Sequence, residues 1–107
     1  MGTILNPKLT AFEAQAAANG FLLDHLPDLY CALEAQLDPI NQLWRVPVTL
    51  TYPRYGGIGK VGEICVSVFV EKIVSFTPLI EMRTTARQLY DQQIDAIEEA
   101  FSGQKTT

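Results

Sequence analysis

An α+β fold is predicted by this chain of 107 residues: an antiparallel sheet of three or four strands, one face covered by an N-terminal helix and a long C-terminal helix. Two observations predict the sheet. Trp44, Val46, Val48, Leu50 and Tyr52 alternate with Arg45, Pro47, Thr49 and Thr51, a period of two that gives an extended strand one buried and one wet face. After a glycine-rich connection the alternation returns, with Ile64, Val66, Val68 and Val70 set against Glu63, Cys65, Ser67 and Phe69, so the two runs read as antiparallel neighbours. A third observation predicts the long helix: Leu79, Met82, Ala86, Leu89, Tyr90, Ile94, Ile97 and Phe101 recur at three and four, an amphipathic stripe.

In chain order, Asn6-Pro7 reads as a turn or extended entry. Thr10-Ala11-Phe12-Glu13 has the form of a capping box and should start a helix. Phe12, Ala16, Ala17, Phe21, Leu22 and Leu26 can line its buried side before Pro27 ends the pattern. Gly20 weakens a helix interior, which suggests close packing against a neighbour. From Asp28 to Leu37 the alternation of Leu29, Cys31, Leu33, Ala35 and Leu37 favours a strand, while the helix-forming residue types leave a helix open. Asp38-Pro39-Ile40-Asn41 is a turn signal. Pro47 has no N–H for a ladder and is expected at an edge or where pairing lapses, which suits a hairpin between roughly residues 33–37 and 43–46.

The stretch Pro53 to Gly62, with glycines at 56, 57, 59 and 62, reads as a flexible hairpin loop. Its Gly59-Lys60 pair lacks the glycine at 54 and the hydroxyl residue at 61 that a phosphate loop needs, since Arg54 and Val61 stand there. Glu71-Lys72 turns into a short strand at 73–76. Thr77 and Pro78 are the expected N-cap and first residue of the long helix, and Gly103 its expected end. Arg83, Arg87, Asp91 and Asp95 form a four-residue charge ladder on the face away from the apolar stripe, read as solvated.

Composition bounds the function. With 48% hydrophobic residues the chain has enough apolar side chains for one domain spanning 1–107, which can bury roughly 65% of its unfolded surface. A net charge of −4 argues against binding nucleic acid through bulk electrostatics. The Met-Gly start lacks the features of a secretion signal, and no apolar run has the length of a membrane span, so a soluble, cytoplasmic chain is expected. One histidine and two cysteines far apart in sequence, His25, Cys31 and Cys65, make no metal-binding or nucleophile–base pattern. No cofactor, metal or catalytic role is expected of them.

Trp44-Arg45-Val46-Pro47-Val48 with Tyr52-Pro53, and Val61-Gly62-Glu63-Ile64 with Thr77-Pro78, together resemble a family of short uncharacterised bacterial proteins, many of them cyanobacterial. The resemblance covers most of Thr10 to Phe101. The layout also resembles PepSY-type and cystatin-like modules, which implies a domain that binds or inhibits. Ser67-Val68-Phe69-Val70-Glu71 stands where PepSY-type repeats carry an Asp-x-x-Thr-Gly turn. The resemblance further implies an antitoxin-like role.

The expectation is therefore a non-catalytic protein-interaction or regulatory module that forms a homodimer and meets a protein partner through the outer sheet face or the last strand. Arg45, Thr49, Tyr55, Phe69 and Ile73 are its candidate surface residues. The alternative is a small-ligand carrier with an apolar pocket lined by Trp44, Tyr52 and helix residues; an enzyme is the least favoured.

Overall fold

The structure is a computed structural model and describes residues 7–27 and 29–102. Helix α1 (Ala11–His25) is followed by strands β1 (Tyr30–Ala32), β2 (Gln36–Asp38), β3 (Leu43–Tyr52), β4 (Gly56–Ser67) and β5 (Ile73–Phe76), then helix α2 (Leu79–Ser102). The sheet runs β1-β3-β4-β5, all antiparallel, with β2 also paired to β3. The fold is α+β, with both helices packed on the same sheet.

The alternation read in the sequence sets the sheet's two faces. Paired residues in an antiparallel ladder point the same way, so Trp44↔Val66 and Val46↔Ile64 put both apolar sets under the helices. Val46, Val48, Ile64, Val66 and Val68 are fully buried, and Met82 and Ala86 of α2 join them. Each of the valine, isoleucine and methionine side chains contributes roughly 1.5–3 kcal/mol relative to exposure. The Trp44 indole N–H donates to the Leu9 carbonyl at 2.8 Å, which fixes the segment before α1 to this layer. The Lys8 and Leu9 amides donate to the Val68 carbonyl, at 2.8 and 3.0 Å.

The capping box at the start of α1 forms in full: the Thr10 hydroxyl accepts from the Glu13 amide at 3.1 Å and Glu13 accepts from the Thr10 amide at 2.8 Å. The side turned inward matches the expected one in part: Leu22 and Leu26 are buried and Ala17 and Phe21 pack against the core, but Phe12 and Ala16 do not. Ala14, Ala18 and Leu22 are buried, whereas Phe12 is 78% exposed and Ala16 is also on the surface. Small alanines let α1 lie close to the sheet, a selection that hydrophobicity alone does not reveal. Gly20 is likewise not a close-packing site, because a Cβ placed there would meet nothing within 4 Å.

The segment after α1 is extended, as the alternation favoured, but broken. β1 pairs with the later half of β3 and β2 with its start. Pro47 lies opposite the break in a central strand, not at an edge. Its carbonyl accepts from the Leu33 amide at 2.8 Å, and a residue's N and O point to the same side of such a strand. The position where Pro47 has no N–H to give is therefore the position where the neighbouring strand lapses.

The glycine-rich stretch is strand, not loop. A three-residue turn, Pro53-Arg54-Tyr55, leads directly into β4 at Gly56. Gly56 and Gly59 have φ of 100° and 121°, values that let β4 absorb its irregular register near Thr49. At the other end β4 stops at Ser67, and 68–70 bend away. Thr77 does not cap α2: its hydroxyl accepts from the Glu63 amide at 3.0 Å, while the Pro78 carbonyl accepts the first helical bonds from Glu81 and Met82. Gly103 lies outside the described residues.

Candidate functional site

The five candidate surface residues do not form one patch. Arg45 lies on the sheet face away from the helices, where its Nε donates to Asp38 at 2.8 Å and one terminal nitrogen to Glu63 at 3.0 Å. Lys60 extends this chain of charges to Glu63 at 3.5 Å. Hydrogen bonds from the Asn41 side chain and amide, with the Arg45 guanidinium, hold the Asp38 carboxyl down to about 2. Thr49 shares this face but is only 5% exposed, its hydroxyl donating to the Gly59 carbonyl at 2.7 Å. Tyr55 turns to the helical side, where its hydroxyl donates to Gln93 of α2 at 2.6 Å. Ile73 pairs with Val66 and is packed against the core. Phe69 is 46% exposed in the bend after β4.

The edge beside Phe69 has a different character. Among the described residues β5 pairs only with β4, so its other side presents unpaired backbone groups. Val74 is 52% and Phe76 43% exposed, and Val70 in the preceding bend is 55% exposed. Phe76 also rests on Phe21 at a ring separation of 4.6 Å, and Phe21 stacks on His25 at 4.3 Å. The His25 Nδ1–H donates to the Phe21 carbonyl at 2.8 Å, so this histidine closes the end of α1.

The helical face of the sheet opens at the other side. α1 and α2 barely touch one another, and a cleft of about 480 Å³ lies over the end of β3, between α2 and the Pro27–Tyr30 side of the sheet. Its floor is apolar, from the buried Leu50 and Ala86 and the half-buried Ile94, with Pro27 exposed at its edge. Its walls carry Tyr30, Tyr52 and Tyr90, with Arg83, Arg87 and Asp91 at the rim. The Tyr52 and Tyr90 rings are 5.6 Å apart. Burial pushes the Tyr30 and Tyr52 hydroxyls up from their usual value, opposed at Tyr30 by the Arg83 charge, so both stay protonated donors at neutral pH.

Tyr52 and the involvement of helix residues were foreseen in the sequence; Trp44 is not part of the cleft, being buried against Leu9. Tyr30, Arg83, Arg87 and Tyr90 were not foreseen. Arg83 and Arg87 sit one turn apart, flanking Ala86 and Tyr90 of the apolar stripe, and that adjacency is the signal the sequence held. A charge ladder bordering a stripe becomes a rim only where the covering layer is missing, and that is a tertiary fact.

No family model matches this chain, and no curated protein or solved structure does either. Among the described residues no group of three or more His, Cys, Asp and Glu is placed to hold a metal ion, and no helix is long and apolar enough to cross a membrane.

Proposed function

We propose that this protein is a non-catalytic interaction module that binds a second protein chain by adding a strand to the edge of β5. The observation that supports this reading is the combination of a one-sided strand with exposed apolar side chains. Residues 73–76 contain no charge and no proline, the devices that keep an edge from pairing, and Val74, Phe76, Phe69 and Val70 surround it with apolar surface. The opposite edge is less suited, because β1 and β2 are three residues each and are interrupted.

The simplest occupant is a second copy of the chain. Two β5 strands related by a two-fold axis pair antiparallel and continue the sheet across the dimer. A toxin or other protein partner, as the family resemblance implies, is the hetero-partner form of the same reading. Light scattering across micromolar concentrations tests it. A two-chain mass is expected for the wild type, falling to one chain in Val74→Lys and Phe69→Lys with melting temperature retained. A one-chain mass for the wild type at every concentration removes the homodimer.

A further inference from the structure

The cleft over the end of β3 is chemically unlike the β5 edge and lies at the other side of the sheet, so what it does is independent of strand pairing. We propose that it binds a small organic anion, one carboxylate carried on an aromatic or short aliphatic body.

Three observations converge on that class. The cleft's volume, about 480 Å³, is within the range of small-molecule sites, roughly 300–1,000 Å³. An apolar floor with two facing tyrosine rings takes a flat or aliphatic body by burial and stacking. The polar groups at the walls and rim are then the source of specificity. Among the described residues Tyr55 donates its hydroxyl to Gln93, whereas Tyr30, Tyr52 and Tyr90 line the cleft and their phenols are available to a ligand in exchange for water.

Charge gives the sign of the ligand. Asp91 is matched by Arg87 at 3.6 Å, and Arg83 takes part in none of the ion pairs among the described residues. Among the described residues the rim therefore carries one uncompensated positive charge, on a chain whose net charge is −4. A guanidinium with phenolic donors beside it binds a carboxylate more strongly than a neutral acceptor and repels a cation. With Arg87 already matched to Asp91, one cation is left at the rim, which favours a monoanion.

Phenylpropionate, titrated into isotope-labelled full-length protein and followed by amide chemical shifts, tests this directly. Saturable shifts at Tyr30, Leu50, Tyr52, Arg83 and Tyr90 are expected. Phenylpropionamide, the same body without the charge, should bind more weakly by about tenfold or more, and Arg83→Gln should lose a similar factor toward the acid. Arg83 is exposed, so this variant keeps its fold, and an unchanged melting curve verifies that. Tyr90→Ala should weaken acid and amide alike, because it removes the stacking surface. No saturable shift in the cleft at millimolar phenylpropionate, or equal affinity for acid and amide, overturns the proposal. So does a folded Arg83→Gln protein that binds the acid as well as the wild type.

Discussion

The Cγ of Met82 lies 2.7 Å from where a Cβ on Gly62 would sit. Gly62 is in β4 opposite Val48, and Met82 is the fully buried residue on the first turns of α2. The absence of a side chain at 62 is what lets α2 come down onto the sheet. Thr77 closes the other side, its Cβ 3.1 Å from the same point.

Gly62→Ala should therefore destabilise the fold by overpacking, roughly 1–3 kcal/mol. Gly20→Ala is the control: its Cβ would meet open space, and replacing a helical glycine should stabilise by about 0.4–1 kcal/mol. Urea unfolding followed by Trp44 fluorescence measures both. A Gly62→Ala midpoint equal to the wild type would show that α2 can lift without cost.

Val48 and Ile97 are 0% and 1% exposed, one at the centre of the sheet and one far along α2. Changing either to Asp buries an unpaired charge, and a domain with only about 5–15 kcal/mol of net stability should not survive it. Thermal melting or loss of dispersed amide resonances checks this. A cooperative, unshifted melt of Ile97→Asp would mean that the second half of α2 is not part of the folding unit.

The capping box gives a smaller effect. Thr10→Ala removes the acceptor for the Glu13 amide and should cost about 1 kcal/mol. In Thr10→Ala the residue-10 amide still donates to Glu13, so the further change Glu13→Ala should add a loss of its own. A double variant no less stable than Thr10→Ala would show that the Glu13 bond forms only with the Thr10 hydroxyl in place.

Acid should weaken the fold through Asp38. Its carboxyl is held at about 2 against an ordinary 3.8, first by Asn41 and then by Arg45. The unfolded chain takes up the proton first as pH falls, so the stabilisation is present above 3.8 and lost on descending to about 2. Asp38→Asn should lower the urea midpoint at neutral pH and converge with the wild type near the acid end of that window. A midpoint difference that does not change with pH would assign the effect to packing.

Much of this fold was legible from local pattern. Strict alternation in 44–52 and 64–68, the Thr10–Glu13 box and the three-and-four stripe of α2 each express a rule acting within a few residues: which face of a strand is wet, which amides a helix start leaves open, which side of a helix is apolar. These rules determine the elements and the sheet's buried face. The rest depended on which layer meets which. The side of α1 that goes inward was decided by the closeness of approach that Ala14 and Ala18 allow; Phe12, more hydrophobic, stays outside. Pro47 in a central strand was decided by its neighbour, which breaks where the missing N–H would have been used. The glycines after Tyr55 belong to β4 because they pair with the end of β3, Gly56 with Tyr52 and Gly57 with Thr51, and Gly62 leaves the room that Met82 takes. The Tyr30–Tyr52–Tyr90 cleft with Arg83 at its rim joins residues up to 60 positions apart and exists because α2 and the Pro27–Tyr30 side of the sheet part over the end of β3, a spacing set by the tertiary packing of side chains that no single stretch of sequence contains.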